Sequence, residues 1–196
     1  MTAKPPRFAQ LAVEQLDAAQ RRVADEILKV SSGGLGGPYN FLLRSPVLAD
    51  RILKLADYLR FNSALPRRLS EMAILIQARL WTAQYEWWAH HPLALKAGLA
   101  PGIAEALKAG RRPEGMQPDE AALYDFCVEL SKRQQVGDAT FARARALLGE
   151  QKLVDLVALT GFYVQVSMIL NVAEAGIPGG GAPPLAPMAD PLPLAG

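Results

Sequence analysis

The chain has 196 residues, 51% of them hydrophobic and 20% charged, a composition typical of one folded domain with a substantial core. Its 21 Lys and Arg nearly balance its 19 Asp and Glu. The basic residues are scattered along the chain, so we expect no nucleic-acid partner. The single cysteine, Cys127, lies on the apolar face of a predicted helix, where we expect a buried, inert thiol. Chemistry that needs a pair of thiols is therefore excluded.

The apolar segments bear on the cellular compartment. The first fifteen residues contain no apolar run of signal-peptide length. Charged residues interrupt the later apolar segments, and spanning a bilayer takes about 20 apolar residues. We therefore expect a cytoplasmic protein with no membrane partner.

Hydrophobic periodicity predicts helices and no strand. Apolar residues recur at three- and four-residue steps, and Gly- and Pro-rich stretches separate these segments. The predicted fold class is all-α, with a single helical-bundle domain over residues 1–175. The stretch SSGGLGGPYN, residues 31–40, predicts a turn or a close backbone approach. Helices are predicted over residues 16–30, 46–60, 67–80, 85–97, 101–109, 118–133, 138–148 and 150–174.

The C-terminal residues 176–196 differ from the rest of the chain in composition. They contain six prolines and five glycines, which suit neither a helix nor a central strand. A disordered tail is the ordinary outcome for such a segment. Its leucines and Met188 also allow an extended arm that lies on a neighbouring subunit.

Two carboxylates and a histidine lie in the segment with the strongest chemical signal. Glu71 falls in a helix that is apolar nearly all round. A carboxylate buried in such a helix needs an ion-pair or hydrogen-bond partner, or it has a functional role. Glu86 precedes His90 by four residues, so the two share one helix face. A carboxylate one turn from an imidazole can orient it for acid–base chemistry near neutral pH.

Other interpretations of the Glu86–His90 spacing remain open. An ordinary surface pair would contribute only about 0.3–0.5 kcal/mol. A zinc site would need three or four ligands, and the adjacent His90 and His91 point about 100° apart on a helix, so we expect no metal. Nearby tryptophans and the lack of any further histidine favour a partly buried polar cluster.

The segment LPRRLSEMAILIQARLWTAQYEWWAHHPLALKAGL resembles the core motif of the carboxymuconolactone decarboxylase and alkylhydroperoxidase D-like superfamily. The resemblance covers roughly residues 40 to 175. In the hydroperoxidase branch, a Glu precedes a Cys-x-x-Cys and a His, and Glu71 and His90 match the outer positions. Ala83 and Glu86 occupy the two cysteine positions, which excludes the thiol chemistry of that branch.

The decarboxylase branch lacks the cysteine pair and is the better match. Its pattern of Glu, aromatic, two residues and His corresponds to Glu86, Trp87 and His90, with Ala94 one residue out of register. The resemblance implies an all-α fold of the alkylhydroperoxidase D-like type and assembly into a homo-oligomer, a trimer or a hexamer. It further implies a small pocket near subunit contacts, and a setting in the catabolism of aromatic compounds.

What the resemblance implies about activity is the decarboxylation of a small carboxylated lactone or keto acid without a cofactor. On this hypothesis His90 delivers a proton to carbon, Glu86 orients His90 or relays its proton, and Glu71 is a second acid. Arg44 and Arg60 bracket a predicted helix and are candidates for binding the substrate carboxylate. The remaining residues predicted to line the pocket are Tyr85, Trp88 and His91.

Two further hypotheses fit the same residues. A thiol-independent isomerase or hydratase would use the acid–base pair without releasing carbon dioxide. A non-catalytic oligomeric binding protein would use the tryptophans only as core, and His90→Ala would then leave its function intact.

Overall fold

The computed structural model describes residues 7–31 and 34–187, and over these ranges the chain is entirely helical, without a strand. This confirms the predicted fold class. Short 3₁₀ turns precede the first helix and follow the last one. The helices in chain order are α1 Ala18–Val30, α2 Pro38–Leu42, α3 Pro46–Asp57, α4 Arg67–Leu80, α5 Gln84–Lys96, α6 Pro101–Lys108, α7 Pro118–Arg133, α8 Asp138–Leu148 and α9 Glu150–Ala173.

Helix α4 is the central helix of the bundle. Every residue from Leu69 to Arg79 is buried, as expected for a helix that is apolar on nearly all sides. It packs against α5, α9, α7 and α6. A polar side chain on α4 therefore faces other helices rather than solvent.

The sequence predicts the interruption between α4 and α5 correctly and misses one short helix. Helix α4 ends at Leu80, Thr82 has a φ of 49°, and α5 begins after the buried Ala83. Helix α2 has five residues and begins at Pro38, a favourable first position for a helix. The sequence analysis assigns this segment to the glycine-rich connector and the residues that follow it. Five residues are too few for a periodic pattern.

The segment after α3 is a π-helical turn, Tyr58–Asn62. The buried Asp155 of α9 attaches it to the bundle. One carboxylate oxygen accepts a hydrogen bond from the Tyr58 hydroxyl at 3.1 Å, and the other accepts one from the Ala64 backbone N–H at 2.8 Å. Arg60 lies in this turn. Because π-helical turns often occur at functional sites, Arg60 is a candidate functional residue.

Helix α9 corrects one argument made from the sequence. Residues 156–173 contain no charged side chain, so α9 is long and apolar enough to cross a membrane by length and composition, with a mean hydropathy of 1.8. However, 61% of that window is buried inside the protein, the burial expected for the core helix of a soluble bundle. The apolar character of α9 is therefore accounted for by packing.

The first part of the C-terminal tail packs on its own bundle. Leu185 is 3% exposed, and its backbone exchanges two hydrogen bonds of 2.8 Å with the Gln84 side-chain amide. Arg79 donates to the Ala186 carbonyl at 2.7 Å. The expectation of a disordered tail is therefore wrong for residues 176–187, because one apolar side chain and three hydrogen bonds hold the segment. Met188 lies outside the described residues.

Candidate active site

A buried hydrogen-bonded pair between α4 and α5 forms the centre of the site. His90 Nδ1 lies 2.7 Å from Glu71 Oε2, and the two residues are 8% and 1% exposed. Because a carboxylate only accepts hydrogen bonds, Nδ1 is the donor. The proton on Nδ1 leaves Nε2 with the lone pair when the imidazole is neutral, which is the tautomer of a general base.

Two arginines surround this pair. Arg67, one turn before Glu71, lies 2.8 Å from Glu71 Oε1 and also donates to the Arg60 carbonyl at 2.7 Å. Burial is the main cause that lowers the pKa of His90, and the positive charges of Arg60 and Arg67 lower it further, while Glu71 opposes the shift. The net effect favours a neutral imidazole.

Glu86 lies on the same helix as His90, but its hydrogen bond goes elsewhere. Its Oε2 accepts a hydrogen bond of 3.1 Å from the Ser167 hydroxyl of α9, and its Oε1 is buried with no partner in the part of the chain that the structure describes. The expected contact between Glu86 and His90 is therefore corrected: the carboxylate that orients the imidazole is Glu71, contributed by the neighbouring helix.

The environment of Glu86 favours its protonated form. The residue is 1% exposed, and burial raises its pKa well above the ordinary value, with the Ser167 hydroxyl opposing the shift only in part. Burial penalises the carboxylate because nothing replaces its hydration. Burial thus shifts Glu86 towards the protonated carboxylic acid, the form that can donate a proton.

Tyr163 of α9 completes the buried cluster and is a residue that the sequence analysis missed. Its ring meets the His90 imidazole edge to face at 5.1 Å. Burial raises the pKa of Tyr163 strongly, and the charges of Glu71 and Glu86 add to this shift. Tyr163 and Ser167 are polar residues four apart in a strongly apolar helix, a spacing that could have indicated a shared polar face.

Arg60 connects the cluster to a large surface groove. The groove lies between α1 and α3, has a volume of about 1210 Å³, and includes Tyr39 and Arg60 in its lining. The charge of Arg60 acts on both His90 and Tyr163, and its Nε is buried without a partner from any described residue. A guanidinium with an unused donor beside the buried pair is suited to bind an anionic group.

The structure places Arg44 away from this cluster. Its guanidinium donates to the Ala9 carbonyl at 2.7 Å and to the Asn40 carbonyl, and it stacks on the Phe8 ring at 5.1 Å. These contacts fix residues before α1 against α2. Arg44 therefore has a structural task that the sequence did not indicate, and the structure does not bring it to His90.

The aromatic residues predicted to line the pocket have different surroundings. The Tyr85 ring lies over Gly37, where a Cβ would approach it to 2.5 Å, so the expected close backbone approach in the glycine-rich loop is made to this ring. Trp88 is 42% exposed and packs on Tyr85 at 5.5 Å. His91 stacks on the buried Trp87 at 5.8 Å. Tyr85 thus packs against the glycine loop, Trp88 packs on Tyr85, and the partly buried His91 stacks on Trp87.

Cys127 is an inert thiol, as its sequence context predicts. It is fully buried, lies 3.8 Å from the Thr160 hydroxyl, and burial raises its pKa to about 12. A thiol in this state is a poor nucleophile. The acid–base groups around His90 therefore carry the chemistry that this cluster offers.

The fold is of the alkylhydroperoxidase D-like type, here with a buried Glu–His pair and no cysteine pair. It is similar to an alkylhydroperoxidase AhpD core structure, an uncharacterized peroxidase-related protein from Ralstonia eutropha JMP134, with a TM-score of 0.72 at 18% identity over 88% of this chain and 93% of that one. A second, uncharacterized peroxidase-related protein from Silicibacter sp. TM1040 gives a TM-score of 0.68 at 13% identity over 89% and 94%. No protein-family profile and no curated protein matches the sequence. The superfamily resemblance predicted from the motif is thus confirmed at the level of the fold.

Proposed function

We propose that this protein is a thiol-independent acid–base lyase that decarboxylates a small carboxylated lactone or keto acid. The observation that carries the proposal is the 2.7 Å contact between the buried His90 Nδ1 and Glu71. It fixes the ring orientation and the tautomer in a place that excludes most water. The decarboxylase-like motif around Glu86 and His90 supports the same reaction class.

Decarboxylation makes three demands on this cluster. The C–C bond to the carboxylate breaks, its electrons move into a neighbouring carbonyl to form an enolate, and the enolate carbon then takes up a proton. Because the neutral ring has a lone pair at Nε2, His90 first takes up a proton there from solvent between turnovers and then delivers it to the enolate carbon, while Glu71 holds the imidazole in place. Glu86, whose pKa burial raises, is a second acid in the same buried cluster. No cofactor is needed for this sequence.

The substrate carboxylate requires a cation, and Arg60 is the candidate that remains. Its charge acts on His90, and its Nε has no partner. The groove between α1 and α3 gives a route of about 1210 Å³ to this guanidinium. Substrate therefore enters along α3, with its carboxylate on Arg60 and its carbonyl carbon towards His90.

One observation favours the isomerase or hydratase alternative. The lowered pKa of His90 makes the neutral imidazole dominant, and a neutral imidazole abstracts protons from carbon or water. Such an enzyme would use the same residues without losing carbon dioxide. Mass balance on the products separates the two reactions.

The experiment is carbon dioxide release and product mass from a panel of carboxylated lactones and β-keto acids. We expect His90→Gln and Glu71→Gln to lower kcat at least 100-fold, the scale of positioned acid–base catalysis. The matched control is His91→Gln, which changes the adjacent imidazole; that ring stacks on Trp87 and has no contact with Glu71 among the described residues, so activity should be retained. Arg60→Gln should raise KM more than it lowers kcat.

The outcomes separate the hypotheses. Turnover without carbon dioxide release, abolished in the same variants, would establish the isomerase or hydratase. Equal activity in wild type and His90→Gln, or no turnover of any substrate, would contradict acid–base catalysis at His90 and favour the binding protein.

We also propose a homo-oligomer, a trimer or a hexamer, in the cytoplasm, with no nucleic-acid or membrane partner. The outer face of α9 supports an oligomer because it exposes apolar side chains without charge, including Val154 at 68% and Val172 at 50% exposure. Isolated apolar side chains are common on surfaces, but a stripe along one helix indicates an interface. Sedimentation velocity on wild type and Val154→Lys tests this: a monomeric wild type would refute it.

A further inference from the structure

A second cationic pocket lies at the other end of α4. Arg79 is a buried guanidinium, 7% exposed, whose Nε has no hydrogen-bond partner among residues 7–31 and 34–187. One of its amino groups donates to the Ala186 carbonyl. Burial lowers the pKa of Arg79, and no carboxylate of the described residues counteracts that shift. A buried charge without a counter-ion is unfavourable and requires an explanation.

The pocket beside Arg79 contains only positive charge. It has a volume of about 40 Å³, and its charged lining residues are Arg79, Arg111 and Lys132. Arg111 and Lys132 are exposed at the rim, whereas Arg79 lies in the wall. The rest of the lining is Tyr124, Gly110 and aliphatic side chains. Three cations around one small space favour an anion.

Gly110 lies beside the Arg79 guanidinium in the wall of the pocket. Gly110 has a φ of +70°, a conformation that favours glycine, and a Cβ at this position would lie 3.6 Å from Nε. Any side chain here would sit in contact with the guanidinium. Without a side chain at Gly110, the pocket reaches the Arg79 guanidinium, although its Nε is itself buried.

The carboxylate next to Tyr124 is already bound. Asp125 accepts hydrogen bonds from Arg112 at 3.1 and 3.0 Å and from Arg143 at 2.6 Å. These bonds direct it to the surface between α7 and α8. It therefore does not neutralise Arg79, Arg111 or Lys132.

We propose that this pocket binds one small tetrahedral oxyanion, either inorganic phosphate or the terminal phosphate of a small monoester. A pocket of about 40 Å³ has room for roughly three water molecules. That is enough for one phosphate group and too little for a nucleotide. A dianion fits three cations better than a single carboxylate does. Arg79 lies eight residues after Glu71 on α4, about 12 Å along the helix axis. The site is therefore separate from the acid–base cluster.

The test is calorimetric titration of the full chain with sodium phosphate, against sodium chloride at equal ionic strength. We expect phosphate to bind, and Arg79→Met to weaken binding at least tenfold. The control variant is Arg145→Gln, an exposed arginine of α8 paired with Glu150, which should leave phosphate affinity unchanged. Glycerol 3-phosphate in place of phosphate distinguishes the sources: tighter binding indicates a monoester, and weaker binding indicates the free ion.

Two further variants keep the proposal testable if Arg79→Met fails to fold. The exposed Lys132→Met and Arg111→Gln should each weaken phosphate binding at least threefold. Phosphate affinity unchanged in both, or no phosphate binding by wild type, would overturn the proposal.

Discussion

Two regions of the bundle bury charge in opposite ways. At the start of α7, Arg68 binds Asp119 at 2.8 Å and also Glu120, and Glu120 accepts the Gln117 backbone N–H at 2.7 Å. Every charged group there has a partner. Between α4, α5 and α9, by contrast, Glu86 Oε1 and Arg60 Nε have none. Complete pairing stabilises architecture, whereas unused buried donors and acceptors indicate where a substrate can bind.

The largest expected effect is a difference in the free energy of unfolding between substitutions in these two regions. Glu71→Ala should lower the free energy of unfolding by about 3 kcal/mol, because it leaves the buried His90 Nδ1 without a partner. Asp119→Ala should cost about 1 kcal/mol, since Glu120 still holds Arg68 and Asp119 is partly exposed. Urea unfolding at pH 7 measures both. Equal losses of unfolding free energy in the two variants would contradict the proposed difference between the two regions.

The second effect concerns the pH dependence of Glu86. Its pKa in the native state lies well above the usual value of 4.5, so the unfolded chain ionises first as pH rises. Its stabilising contribution is therefore complete below pH 4.5 and is lost as pH rises towards the native pKa, by at most about 1.4 kcal/mol per pH unit.

Glu86→Gln, which keeps the shape and cannot ionise, should remove that slope. The measurement is the difference in unfolding free energy between wild type and Glu86→Gln from pH 5 to pH 7.5. A growing advantage of the variant with pH is the expected result. A constant difference would mean that Glu86 is ionised in the folded protein.

A smaller effect is expected at His90, whose native pKa lies below 6.5. Here the unfolded chain binds the proton first, so His90 costs stability as pH falls from above 6.5 through the native pKa. Glu71→Gln should lower the pKa of His90 further, because Glu71 raises it in the wild type. Proton NMR titration of the imidazole, assigned with His90→Gln, measures both. An upward shift in Glu71→Gln would contradict the pairing.

The smallest effect is expected at the surface of α7 and α8. Arg112→Ala removes one of the two arginines bound to Asp125, and Arg143 still holds that carboxylate at 2.6 Å. We expect a change of about 0.5 kcal/mol or less in the free energy of unfolding, since exposed ion pairs contribute little. A loss comparable to that of Glu71→Ala would show that pairing at the surface stabilises this bundle as much as pairing in the interior.

Local patterns predicted most of the fold because each long helix has its own periodicity. The break before α5 and the buried Cys127 follow from neighbouring residues alone. Helix α2 did not, because it is shorter than the pattern that identifies a helix. The docking of Leu185 did not either, since its partner Gln84 is a hundred residues away along the chain.

The candidate site shows the same limit. The spacing of Glu86 and His90 placed them on one helix face, yet each found its partner on another helix. The contact of His90 with Glu71 spans 19 positions, and that of Glu86 with Ser167 spans 81. Arg44 likewise was predicted from its place at a helix end, whereas the Ala9 carbonyl 35 residues away determines its direction. The packing of helices against one another determines such pairings. The spacing of residues within a single helix does not predict that packing.

The Gln84 amide has a practical consequence for anyone who shortens this chain. Its oxygen and nitrogen bind the N–H and carbonyl of Leu185 as a neighbouring strand would. A chain ending at Pro187 keeps both bonds and the Arg79 contact. A chain ending before Leu185 exposes the apolar surface that Leu185 covers and leaves the Gln84 amide without its two hydrogen bonds. Such a chain should therefore self-associate more readily than one ending at Pro187.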